Sequence, residues 1–141
     1  MKTIVSAVLV SFALLLTGCA ATQESAQSST EVTRQFYGST QNPDTVSRQT
    51  LELSKAGVLK NVRMTRSIPA QITATGPENV LSCISVEGNK WVAEHQECEY
   101  MDENTCTDLG GEFNACASAC RNDPKAEICI MMCVPVCSFA K

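Results

Sequence analysis

A chain of 141 residues with 44% hydrophobic side chains, nine cysteines and a formal net charge of −4 has room for small cores only. Its acidic balance excludes a nucleic-acid reader, which needs a basic face. A single histidine excludes a multi-histidine metal centre, and no Cys-x-x-Cys spacing is present to support thioredoxin-like redox chemistry.

Lys2 supplies a short positive start, and Ile4 to Leu16 form an apolar run of signal-peptide length. Spanning a bilayer takes about 20 apolar residues, so this run is too short to be a membrane helix. Leu16-Thr17-Gly18-Cys19 resembles a bacterial lipobox. The resemblance implies a signal peptide over residues 1–18, cleavage before Cys19, and acyl chains on the Cys19 thiol and the new amino terminus. One acyl chain binds a membrane only marginally, and several together anchor it. Ala20 and Ala21, with no aspartate after the cysteine, are similar to the outer-membrane sorting pattern of enterobacterial lipoproteins. The expected location is therefore the outer membrane, lipid-anchored, facing the periplasm or the cell surface. The competing reading is a soluble exported protein with a cysteine at that place. In either case the other eight cysteines meet an oxidising compartment, where thiols pair.

Residues 19–44 read as lipid anchor and flexible tether. Positions 20–33 are Ser, Thr, Gln, Ala and Glu with little else and no aromatic ring, too polar to offset the entropy of ordering. Phe36 and Tyr37 mark the start of ordered structure, and Asn42-Pro43-Asp44 signals a turn. Residues 45–98 read as a small antiparallel β unit. Its candidate strands are 45–53, 58–65 and 68–75, with Lys55-Ala56-Gly57 as a turn and Pro69 confining the third strand's start to an edge or irregular position. Gly76-Pro77-Glu78-Asn79 breaks the chain. Val80–Val86 and Trp91–Ala93 then flank Glu87-Gly88-Asn89-Lys90 as a hairpin, with Cys83 and Cys98 a candidate pair across its open end. Trp91 is expected in the centre of this core in preference to a ligand platform, and His95 on the surface.

Charge is unevenly placed. Arg48, Lys55, Lys60, Arg63 and Arg66 meet one acid, Glu52, whereas Glu94 to Glu112 carries seven acids with no Lys or Arg among them. Two solvated faces of opposite sign explain this, and a contact between the halves or with a charged partner is the alternative.

Residues 99–141 hold the sharpest pattern, Cys106-x9-Cys116-x3-Cys120-x8-Cys129-x3-Cys133-x3-Cys137. Eight cysteines including Cys83 and Cys98 allow 105 pairings. The entry Phe113-Asn114-Ala115-Cys116-Ala117-Ser118-Ala119-Cys120 and the exit Cys129-Ile130-Met131-Met132-Cys133-Val134-Pro135-Val136-Cys137 resemble the trypsin-inhibitor-like (TIL, Ascaris-type) cysteine-rich module. The likeness covers residues 106–137 and supplies six of that family's ten cysteines. It implies the nested bridges Cys106–Cys137, Cys116–Cys133 and Cys120–Cys129, leaving Cys83 to pair with Cys98. The family's other four cysteines pair with each other, so their absence leaves a shortened module with no orphan thiol. By the same resemblance Ile130, Met131 and Met132 occupy the inhibitory loop as P2, P1 and P1′. Methionine at P1 suits the apolar pocket of elastase-like or chymotrypsin-like proteases.

The dense apolar stretch from Ile128 to Phe139 also suits a plain core role. Cys-x3-Cys-x3-Cys lacks zinc-ribbon spacing, so no metal and no cofactor is expected. With no catalytic constellation, the sequence reads as a non-enzyme. The expected fold is small, disulfide-rich and mainly β, an antiparallel unit followed by a cysteine-stapled irregular module. Its expected role is a membrane-anchored protein-binding or structural module with an unidentified protein partner. The alternative is inhibition of a serine protease at the Met131–Met132 bond.

Overall fold

The computed structural model describes residues 30–39, 41, 43–123, 125, 126, 128, 129 and 132–140. The expected signal peptide and Cys19 lie outside them. The described chain is a mixed β/α fold with two antiparallel sheets and four disulfides, where the sequence pointed to a mainly β one.

The first sheet has strands β1 (Glu31–Tyr37), β2 (Lys60–Met64) and β3 (Gln71–Pro77) in the order β1-β3-β2. Its central strand alternates cleanly: Ile72, Ala74 and Gly76 are buried while Gln71, Thr73 and Thr75 face outward, as a one-sided antiparallel strand requires. The expected tether through residue 44 thus overreaches. Glu31 already pairs with Pro77, and Phe36, opposite Ile72 in the ladder, is buried in the same core.

Two of the expected strands are helices. Residues 45–53 lie in α1 (Pro43–Lys55). The buried positions are Val46, Thr50 and Leu53, spaced by four and three, while Leu51 stays exposed. Pro43 suits the first helical position, where its missing N–H costs nothing. Thr50 is fully buried and satisfies its hydroxyl by donating to the Val46 carbonyl at 2.8 Å. The Lys55-Ala56-Gly57 break is a helix terminus, not a hairpin turn. Gly57 has φ +77°, its N–H donates to the Ser54 carbonyl, and Val58 N–H reaches back to the Leu53 carbonyl at 2.9 Å. This is the Schellman arrangement, which favours glycine at the left-handed position.

The second case is Val80–Val86. Glu78–Ile84 form α2, with Pro77 as its non-helical N-cap and Val80 to Ile84 all buried. A short, mostly apolar run fits a buried strand and a buried helix equally well, and the Gly-Pro break tips it into a helix laid on β3. The expected hairpin therefore moves along the chain. β4 (Lys90–Val92) pairs with β5 (Glu97–Glu99), so Trp91 faces Cys98 across the ladder.

The second sheet runs β4-β5-β7-β6, with β6 (Glu112–Ser118) and β7 (Cys133–Ser138). The expected border between residues 98 and 99 falls inside β5, and the expected irregular module contains two regular strands and the helix α3 (Glu103–Asp108). Phe36, Ile72, Leu81 and Ile84 belong to one core; Cys98, Met101, Cys106, Cys137 and Phe139 belong to a second. Half-buried Trp91 touches both cores and stacks at a tilt on Phe139, 5.9 Å between ring centres. Among the described residues no helix is long and apolar enough to cross a membrane.

Candidate functional site

The region of interest is the ribbon of β6 and β7 with the segment that joins them. The eight cysteines come together as Cys83–Cys98, Cys106–Cys137, Cys116–Cys133 and Cys120–Cys129. The first ties α2 to β5 and the second ties α3 to β7; all four of these sulfurs belong to fully buried residues. Gly111 packs against the second bridge. A Cβ there would run into the sulfur of Cys137 and come within 3.0 Å of that of Cys106. The other two bridges sit outward along the ribbon, with Cys116, Cys129 and Cys133 exposed.

The entry motif has a local physical reason. Asn114 Oδ1 accepts from Cys116 N–H at 2.9 Å, and Ser118 Oγ accepts from Cys120 N–H at 3.2 Å. Each short polar side chain satisfies a backbone donor two residues on, where a register shift between Asn114 and Ala117 and the end of β6 leave the ladder incomplete. The two devices set Cys116 and Cys120, one cysteine of each outward bridge.

The apolar stretch from Ile128 onward splits by face. Val134 and Val136 are buried with Ala117, and Phe139 enters the second core. Ile128 is 90% exposed and Met132 62% exposed, on either side of positions 129–131. Ile130 and Met131 lie outside the described residues.

Beside the ribbon sits an ion-pair cluster that the sequence reading missed. Arg121 donates from Nε to Glu97 Oε2 at 3.0 Å and from Nη2 to Glu99 Oε1 at 2.9 Å, while Asn122 Nδ2 donates to Glu97 Oε2 at 3.1 Å. The three ionised side chains are only 15–16% exposed. Burial disfavours the Arg121 charge, but hydrogen bonds to Glu99 and Glu97 outweigh it and hold the guanidinium above the ordinary arginine range. The signal lay in the cation-free acidic run: Glu97 and Glu99 flank a buried Cys98 on a two-residue period, so both face one way and need a counter-charge from elsewhere.

A cleft of about 690 Å³ opens between α2 and α3. Asn79, Ser82, Gln96, Thr105, Asp108 and Phe139 are among its lining, and the Arg34–Glu78 ion pair (2.8 Å) borders it. The Asn79 Oδ1 atom is buried there with no hydrogen-bond partner among the described residues. Such a lining can hydrogen-bond a polar ligand, and it holds no histidine or cysteine. His95 is exposed in the turn between β4 and β5. Among the described residues no group of three or more His, Cys, Asp or Glu side chains is arranged to hold a metal ion. Comparisons with family models, with curated proteins and with solved structures find no match to this chain.

Proposed function

We propose that the protein is an outer-membrane lipoprotein, anchored through acyl chains on Cys19, whose stapled β6–β7 ribbon binds another protein. The exposure of Ile128 and Met132 carries the recognition half of this reading. Two large apolar side chains stand in water on a segment bracketed by Cys116–Cys133 and Cys120–Cys129. Disulfides on both sides reduce the ordering cost of docking such a segment. Val134 and Val136, a few residues on, are buried, so along β7 and the segment before it the outward apolar groups lie in the outer part. The anchoring half rests on Leu16-Thr17-Gly18-Cys19.

A photo-reactive residue at position 128 in the native envelope tests the recognition half, with the equally exposed position 68 as control. One discrete adduct from 128 and none from 68 is expected; equal labelling from both sites would reject it. Cys19→Ala should at the same time release the protein from the membrane fraction.

A second reading is favoured by one observation, the exposed Met132 in the P1′ place of a TIL-like inhibitory loop. In that reading Met131 fills the apolar primary pocket of an elastase-like or chymotrypsin-like protease, and Ile130 flanks it. Inhibition by oxidised residues 20–141 that Met131→Asp abolishes is the expected result. Absence of inhibition by the correctly bridged protein removes this reading and leaves the first.

A further inference from the structure

We infer that Arg121 is the positioning residue of the recognition ribbon, clamping its outer turn onto the acidic face of β5. The inference rests on the reading of the ribbon as the recognition element. The Cys120–Cys129 bridge joins the two ends of one excursion to each other. Cys116–Cys133 joins β6 to β7 at the root of that excursion. Neither bond reaches the rest of the second sheet. The β5–β7 ladder stops at Val136, followed by one hydrogen bond from Tyr100 N–H to the Pro135 carbonyl at 2.8 Å. Past that point β6 and β7 continue as a two-stranded ribbon, and two strands alone hold their orientation poorly.

Arg121 spans the gap. It begins the excursion immediately after Cys120, and its guanidinium returns to Glu97 and Glu99, with Asn122 adding a third hydrogen bond to the same Glu97 oxygen. The acidic side of the clamp is itself fixed. Cys98, between the two glutamates, is fully buried and bonded to Cys83 in α2. Lys90, opposite Glu99 in the ladder, holds the other oxygen of that carboxylate at 3.4 Å. A planar guanidinium can bond two carboxylates in fixed directions, which a lysine ammonium cannot. Exposed Lys125 lies farther along the same excursion, where its peptide N–H is held by Asp123 Oδ1 at 2.9 Å.

Cleavage after Lys125 by a lysine-specific endoproteinase, on oxidised full-length protein, reads the clamp. Arg121→Gln and the double variant Glu97→Gln/Glu99→Gln should each be cut there about ten-fold faster than wild type, the scale expected for losing hydrogen bonds to a charged group. Cleavage after Lys55 and Lys60 should stay at the wild-type rate. A wild-type rate after Lys125 in Arg121→Gln overturns the inference. So does faster cutting that extends to Lys55 and Lys60, since Arg121 would then be stabilising the whole fold. Cross-linking from position 128 and protease inhibition are read separately on the same proteins. If those fail while the Lys125 result holds, the recognition reading falls and the clamp stands.

Discussion

The first sheet closes over Ile72, Ala74, Val80, Leu81 and Ile84 with no disulfide inside it, whereas the second has cysteine sulfurs for much of its core. β3 is a seven-residue strand with neighbours on both sides, and two helices add apolar side chains to its buried face. β4 and β5 are three residues each, too short to collect comparable apolar area. The contrast shows two answers to the same entropy cost. One region gains by removing hydrocarbon from water; the other loses less on folding because its unfolded chain is already restricted. Cys83–Cys98 is the bridge that crosses between them.

Reduction should separate the two regions most strongly. A loop of about 15 residues closed by a disulfide is worth roughly 3 kcal/mol in the chain-entropy model, and two bridges of the second region close loops at least that long. With a reductant present, amide protection at Phe113, Cys137 and Val136 should vanish while Phe36 and Ile72 keep theirs. Simultaneous loss at all five would mean that the two sheets fold as one unit, and the contrast would fail.

A smaller effect measures how the regions are coupled without covalent bonds. Gln49 on α1 donates from Nε2 to the Asn89 carbonyl at 3.0 Å and accepts from Trp91 N–H at 3.0 Å. One carboxamide therefore satisfies both main-chain groups at the start of β4, next to the ring shared by the two cores. Gln49→Ala leaves both groups without that partner, and a loss of about 1–2 kcal/mol in urea unfolding is expected. If the urea midpoint does not move, water replaces the carboxamide at no cost and the coupling rests on Trp91 and the Cys83–Cys98 bridge.

The same contrast explains how much was legible from sequence. The breaks at Gly57, Pro69 and Gly76-Pro77 all stand at element boundaries: Gly57 ends α1, β3 begins just past Pro69, and α2 follows Pro77. What lay between the breaks was harder. Leu51 and Leu53 suggest alternation, yet only Leu53 is buried, and the deciding spacing from Val46 through Thr50 runs over a polar residue. The four pairs seen are those implied by the likeness of the cysteine array, whereas 105 pairings stay open to spacing alone. The two-residue period of Glu97 and Glu99 calls for a counter-charge, but Arg121 is 22 residues from Glu99 and the α2–α3 cleft also joins distant segments, so no local period could name the residues that meet there.

The smallest expected effect concerns α3, the short helix that delivers Cys106 to its bridge. Asp102 is the N-cap, and its Oδ1 accepts from Thr105 N–H at 2.9 Å. The Thr105 backbone N–H, and then its hydroxyl, hold the Asp102 carboxyl below the ordinary aspartate range. A depressed folded-state pKa stabilises the fold at pH values above the unfolded pKa, near 3.9, and that contribution disappears as pH falls through the lower folded value. Asp102→Ala should therefore lower protection of the Thr105 and Cys106 amides at neutral pH and make little difference once the pH has fallen through the folded-state value. The Thr105 amide shift, followed by NMR, should titrate with a midpoint below that of a free aspartate. A midpoint at the ordinary value would mean that the Asp102 carboxylate adds nothing to α3, and that Cys106 is held by its bridge to Cys137 and its main-chain hydrogen bonds.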